Sequence, residues 1–189
     1  MTSTMICVTD EMDIPVEYRN TPIERLILNH NLNIRPERYE RAEMLVLMCM
    51  DNRQELRPPQ NSAFFVRNSG GTQNGVAFSI SFAVAVAGIR HIAVIGHSDC
   101  MMVNLKIKEK DFVQNLSEYF MWDRAEAENH FRDMCAQFGK TDAAGSVVSE
   151  AESLRSEYPG VIVAPLFYSV EDHLLYLIEE EPCQVPAQR

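Results

Sequence analysis

Met44-Leu45-Val46-Leu47-Met48-Cys49-Met50-Asp51-Asn52-Arg53 is an apolar run that ends abruptly in a polar segment. A short apolar stretch of this kind, rich in branched residues, reads as a strand buried on both faces. His91-Ile92-Ala93-Val94-Ile95-Gly96-His97-Ser98-Asp99-Cys100 repeats the pattern, with a strand over 91–95 running into a polar loop. Parallel strands of an open α/β sheet bind ligands at their carboxyl ends. Here those ends carry Cys49, His97 and Cys100. Two thiolates and one imidazole suit zinc, whose borderline-soft character accepts both. Three protein ligands leave one tetrahedral position open, which separates a catalytic zinc from a structural one. The competing reading makes Cys49 a small core residue and the His97/Cys100 pair accidental, because free cysteine is usually buried and inert.

Upstream, Thr21-Pro22-Ile23-Glu24 reads as a helix start, with Thr21 as N-cap, Pro22 at the first position and Glu24 reaching back as a capping box. Ile23, Leu26 and Ile27 give that helix one apolar face. After Arg35-Pro36 the chain enters the strand at 44–49; the next loop breaks at Pro58-Pro59, and 63–67 is a second strand. Residues 76–87, after Gly70-Gly71 and before Gly88, form a helix apolar almost all round, expected to lie buried between layers. Residues 102–138 read as helical and richly charged up to Gly139. A further helix over 142–157 stops at Pro159-Gly160, and 161–169 with 174–178 form a last strand and its hairpin partner.

Alternating strands and helices imply an α/β fold with a mainly parallel central β-sheet flanked by helices. Without an internal repeat, linker or low-complexity tract, residues 1–189 are expected to form a single domain, with 1–30 as an N-terminal arm and helix. Residues 1–20 show no periodicity. The apolar groups of 1–30 lack enough local structure to bury them, which suits packing on a second subunit.

The composition, 46% hydrophobic and 23% charged over 189 residues, is that of a soluble globular protein. No stretch approaches the roughly 20 apolar residues of a membrane helix. Residues 1–10 lack the basic flank and apolar centre of a signal peptide, so a cytoplasmic location is expected, a microcompartment being the other compatible one. The five cysteines are then reduced, and such thiols more often mean metal or redox chemistry than a disulfide framework. A formal charge of -10 argues against nucleic acid or an anionic membrane as partner, but not against a small anion held by local arginines.

Asp51, two residues past Cys49, can reach the fourth zinc position or a water there. Arg53 can pair with Asp51 bidentately and keep it ionised. Taken alone, the two are equally a surface ion pair worth little. Four segments in order, however, resemble the β-class carbonic anhydrases: Cys49-Met50-Asp51-Asn52-Arg53, Phe65-Val66-Arg67-Asn68-Ser69-Gly70, Ser79-Ile80-Ser81-Phe82-Ala83-Val84 leading into Gly88-Ile89-Arg90-His91-Ile92, and Gly96-His97-Ser98-Asp99-Cys100. The resemblance is close over about residues 40–105 and otherwise lies in the pattern of elements. It implies that Cys49, His97 and Cys100 bind zinc and that Asp51 and Arg53 form the catalytic dyad. The implied reaction is reversible hydration of CO2 to bicarbonate and a proton by zinc-bound hydroxide, available because zinc lowers the pKa of its water to about 7. Asp51 would accept the hydroxide proton and aim its lone pair, while Arg53 holds Asp51. None of His30, His91, His130 or His173 is marked as a proton shuttle.

The family also has a closed state in which the aspartate ligates zinc. Some members link it to a bicarbonate pocket using a tryptophan three residues before the first cysteine. That position is Val46 here and the single tryptophan is Trp122, so this regulation is not expected. Asn52 stands where serine is usual, and Met101 where glycine follows the second cysteine; a side chain there would narrow or distort the pocket if the position needs φ > 0 or close backbone approach. The family's apolar pocket wall falls on Phe64 and Phe82, which are otherwise plain core aromatics.

Three other readings share these residues. One is a hydrolase of carbonyl sulfide or carbon disulfide on the same site, and another a non-catalytic zinc-binding scaffold. The third is a Cys49 nucleophile activated by His97, which leaves Cys100 and the dyad without roles. The resemblance further implies a homodimer or higher homo-oligomer, with the N-terminal arm and helix wrapped on the neighbour.

Overall fold

The structure, a computed structural model, describes residues 4–34 and 38–180. Arg35-Pro36, named above as the approach to the first strand, and the first three residues of the arm lie outside them. Alternation along β2 (Met44–Cys49) decides how the sheet is covered. Met44, Val46 and Met48 share one core with Ile23, Leu26 and Ile27 of α1 (Pro22–Leu32). Leu45 and Leu47 share the other with Ile80 and Ala83 of α2 (Ala77–Ala85) and with Val147, Ala151 and Leu154 of α5 (Ala143–Glu157). Every residue of β2 is buried, as a parallel strand between helical layers must be.

β4 (His91–His97) lies parallel between β2 and β5 (Ile162–Tyr168), and β3 (Ala63–Asn68) closes one edge parallel to β2. β6 (Leu175–Ile178) returns antiparallel on β5, and β1 (Met5–Cys7) adds antiparallel to β6. The order is β1-β6-β5-β4-β2-β3, a mainly parallel sheet, as the alternation of elements predicts. Pro165 falls in the part of β5 that pairs with β4 alone, where a missing N–H is tolerated.

Element ends depart from the sequence reading at particular residues. Thr21 caps α1 through its hydroxyl, but Glu24 reaches past it to the Asn20 N–H at 2.7 Å. The charged stretch is not one helix. After a 3-10 turn at Leu105–Lys108, α3 (Glu109–Phe120) ends at Met121 in the left-handed conformation, φ 60°. Asp123 then caps α4 (Arg124–Phe138) by accepting from the Ala125 and Glu126 N–H groups.

Two expectations need correcting. Much of the N-terminal segment's apolar surface has a partner within the chain: Val8, Ile14 and Tyr18 are buried with Ile23, Leu26 and Ile27 against the chain's own sheet, while Met12 and Val16 stay exposed. A three-residue strand and two 3-10 turns, Glu11–Asp13 and Val16–Tyr18, carry no period by which the sequence could announce this. Helix α2, in turn, is not buried between layers. Ile80 and Ala83 pack inward, but Phe78 is 80%, Phe82 51% and Val86 68% exposed. Its neighbour β3 is an edge strand, and among the described residues nothing covers that side. Among the described residues no helix is long and apolar enough to cross a membrane.

Candidate metal centre

β2 and β4 are in register at Met48 and Ile95, so their ends emerge side by side. β4 runs two residues beyond the expected 91–95, making His97 its last residue rather than a loop residue. Asp99 takes the left-handed conformation, φ 54°, and turns the chain so that Cys100 comes back to the strand ends. Ser98 anchors the turn to β5: its N–H donates to Tyr168 O at 3.1 Å and its hydroxyl accepts from the Val170 N–H at 2.8 Å. One donor atom each from Cys49, His97 and Cys100 lies within 4.8 Å of the others, and all three residues are buried. Among the described residues this is the one such cluster.

The cluster fits a soft divalent cation. His97 Nδ1 is 2.9 Å from Ser98 O, a contact that puts the proton on Nδ1 and a free lone pair on Nε2. Nε2 is buried without a partner among the described residues, an arrangement that costs about 1–3 kcal/mol unless something accepts the lone pair. The Cys49 thiol is pushed well down, chiefly by its bond with the Cys100 thiol, with help from the nearby Asp51 and Gly70 N–H groups. The same bond, and burial, push the Cys100 thiol up, against a donated Met102 N–H. The pair thus shares a proton that a cation would displace. Tetrahedral zinc with ligands at about 2.0–2.3 Å places donors roughly 4 Å apart or less, a small closure of the observed spacing.

Beside the cluster, both Asp51 oxygens are engaged by Arg53. Oδ1 accepts from Arg53 N and Nε, each at 3.0 Å, and Oδ2 from Nη2 at 2.7 Å. These bonds hold the Asp51 carboxyl down at about 2. The rest of the guanidinium donates to Asp99, Nη1 to Oδ2 at 2.7 Å and Nη2 to the carbonyl at 3.0 Å. Arg53 therefore ties the loop after β2 to the turn after β4, and Asp51 is not one of the clustered donors. The loop is fixed elsewhere by the Glu55 N–H on the Tyr168 hydroxyl at 3.4 Å and the Arg57 N–H on His30 Nδ1 at 3.2 Å.

The opposite wall is the turn after β3. Asn68 spans it, donating to Thr72 O and Asn74 O and accepting from the Thr72 N–H. Gly71, at φ +64°, lies so near β2 that a Cβ would come 2.8 Å from Met48 C and 2.9 Å from Cys49 N. Asn68, Tyr168 and Lys140 all brace the site without having been singled out from sequence; Asn68, just before Gly70-Gly71, gave the one usable signal, since asparagine favours turns.

Phe64 and Phe82 come together, but not at this cluster. With Leu45, Phe65, Val66 and Phe78 they line a separate groove of about 430 Å³. Phe64 is opposite Leu45, four residues before Cys49, or roughly 13 Å along the strand. Met101 follows Cys100 with its side chain 62% exposed. It is not among the residues with positive φ, so the strain considered for a side chain at this position does not arise. Val46 is fully buried, and Trp122 sits in the α3–α4 turn against His130, ring centroids 5.5 Å apart.

The family model described as Carbonic anhydrase matches residues 44–161, more than half of the chain. Among solved structures, β-carbonic anhydrase isoform I of the protozoan Trichomonas vaginalis is similar with a TM-score of 0.61 and 12% identity, over 82% of this chain and 93% of that one. Carbonic anhydrase from Streptococcus mutans gives 0.58 and 18%, over 88% and 100%. The apo form of a carbon disulfide hydrolase gives 0.52 and 22%, over 84% and 85%. No curated protein sequence matches significantly. The solved structures share the fold, and the matched segment spans the parallel sheet from β2 through β4 with Cys49, His97 and Cys100 on it; this chain belongs to the β-class carbonic anhydrase family.

Proposed function

We propose that the protein is a zinc enzyme that hydrates CO2 reversibly to bicarbonate and a proton. The reading is carried by the buried Cys49/His97/Cys100 cluster, its free His97 Nε2, and the ionised Asp51 held beside it by Arg53. Zinc, when bound by those three residues, makes water acidic enough to serve as hydroxide near neutral pH. Asp51, being ionised, can only accept a hydrogen bond. It takes the proton side of the attacking oxygen and leaves a lone pair facing the carbon of CO2. With a carboxyl pKa of about 2 it is far too weak a base to keep that proton. Asp51 thus orients, and the proton released with bicarbonate leaves for solvent or buffer. Arg53 keeps both Asp51 oxygens engaged and, through Asp99, holds them in register with the Cys100 turn.

A second reading, hydrolysis of carbon disulfide or carbonyl sulfide on the same residues, is favoured by exposed, apolar Met101 where the family usually has glycine, and by the fold shared with a carbon disulfide hydrolase. We further infer a homodimer formed over α2 and the edge strand β3, where Phe64, Phe65, Phe78, Phe82 and Val86 stand exposed. Residues 1–189 are taken as one domain because both cores share β2, β4 and β5. The reduced thiols that the cluster needs favour the cytoplasm.

The test is stopped-flow CO2 hydration at pH 7 to 9 on protein of measured zinc content, with Asp51→Asn alongside and sulfide release from carbon disulfide in parallel. One zinc per chain and turnover reduced about 100-fold or more by Asp51→Asn support the anhydrase. Full zinc with sulfide release alone favours the second reading, and full zinc with neither activity a scaffold.

A further inference from the structure

We infer that Lys140 is a positioning residue for the metal centre, a cationic clamp on two backbone segments beside the cysteine ligands, the one that follows Cys100 and the turn after β3 that abuts Cys49. The inference rests on the metal-centre reading above. The α3–α4 hairpin brings the chain back to the site at Gly139-Lys140, and there Lys140 makes contacts in two directions. Its main chain is stitched to the segment just after Cys100: the Lys140 N–H donates to Met102 O at 2.8 Å, and Lys140 O accepts from the Asn104 N–H at 2.9 Å. Met102 lies two residues past Cys100, at the exit of the turn that carries it. The lysine side chain reaches the other wall, where Nζ donates to Gly70 O. Gly70 is followed by Gly71, which lies so near β2 that a Cβ there would come 2.9 Å from Cys49 N. A Cβ on Gly70 would come 2.9 Å from Lys140 Cε, so the lysine passes through space that only glycine leaves.

The charge has a reason to be there. A partly buried ammonium with a carbonyl for partner is costly unless negative charge lies near. Burial does push the Lys140 ammonium toward neutrality, while Cys100, Cys49 and Glu150 favour the charged form. A loaded centre holds two thiolates, and a fixed cation beside them favours thiolate over thiol. Groups that brace metal ligands in this way typically contribute about 10–100-fold in metal affinity. In the sequence Lys140 is one lysine at the end of a charged tract, whose ordinary reading is a solvated side chain.

The experiment is competition for zinc between a chromophoric chelator and wild-type, Lys140→Met and Lys140→Arg proteins, with the thermal midpoint of each metal-free protein measured alongside. Lys140→Met is expected to bind zinc at least about tenfold more weakly, with Lys140→Arg recovering much of the loss and the metal-free midpoints close together. Zinc affinity in Lys140→Met within twofold of wild type overturns the inference. If that variant does not fold, Lys140→Gln, which keeps a donor for Gly70 O and drops the charge, is held to the same expectation and the same refutation. Wild type that holds no zinc overturns the metal-centre reading and this inference with it; stoichiometric zinc with an unaffected Lys140 variant overturns this inference alone.

Discussion

Replacing Gly71 by alanine measures how rigidly the end of β2 is held against the turn after β3. At φ +64° the added Cβ would lie 2.8 Å from Met48 C, 2.9 Å from Cys49 N and 3.0 Å from Met48 Cα. These are backbone atoms of a strand bonded to β3 on one side and β4 on the other, so they cannot swing away as a side-chain tip would. Gly88 provides an internal reference, with φ +74° and nothing within 4 Å of its would-be Cβ. Gly88→Ala should cost only the left-handed penalty, about 1–2 kcal/mol. Gly71→Ala carries that penalty together with overpacking of roughly 1–3 kcal/mol, and should exceed the reference by at least about 1 kcal/mol. Urea denaturation of the metal-free proteins resolves such a difference against a total stability of about 5–15 kcal/mol. Because the displaced peptide leads into Cys49, zinc affinity should fall in Gly71→Ala and hold in Gly88→Ala. Equal destabilisation of the two variants would refute the close approach, and unchanged zinc affinity in a destabilised Gly71→Ala would refute its link to the site.

The remaining predictions concern acid and assembly. The Asp51 carboxyl is held near 2, below its ordinary value of about 3.9, by Arg53. Its contribution to stability is therefore fully present above about pH 4 and is lost as pH falls through about 2; metal-free wild type and Asp51→Asn should differ in thermal midpoint near neutrality and converge toward pH 2. A gap that closes between pH 5 and 7 would show the pair is not formed. Phe78, 80% exposed on α2, should be covered by a second copy. Phe78→Glu should weaken association at least about tenfold in light scattering after size exclusion, while far-UV circular dichroism stays unchanged; wild type that is monomeric at tens of micromolar sinks the idea.

How much of this was legible in the sequence depended on whether a feature leaves a period or a punctuation mark. β2, β4 and α5 were legible because short apolar runs and the Pro159-Gly160 boundary announce them. The meeting of Cys49 with His97 and Cys100 was legible because parallel neighbours place their carboxyl ends together. The division of 102–138 was not. Met121 is an unremarkable residue, and its left-handed conformation is imposed by α3 packing back on α4, while Asp123 looks like one more charge in a charged tract. Lys140 was hidden for the same reason. Its distinction lies in contacts with Met102 and Gly70, residues 38 and 70 positions away, which no local pattern encodes.

The two misread segments, the arm and α2, teach one thing from opposite sides. Apolar composition reports that a surface will be covered; it does not report which chain supplies the cover. Val8, Ile14 and Tyr18 looked uncovered because their local structure is too short to have a period, yet the chain's own sheet buries them. Phe78, Phe82 and Val86 looked covered because α2 is apolar all round, yet the chain buries only its Ile80 and Ala83 face. Among the described residues a large apolar face is left uncovered, continuous from α2 to edge strand β3 through Phe64 and Phe65. Exposed aromatics next to an open strand edge are an aggregation liability unless a specific partner occupies them. In one chain the apolar face of α2 departs from the sequence reading, and a homodimer over that face would restore it, which is why the oligomeric state of Phe78→Glu bears on the fold as well as on the quaternary structure.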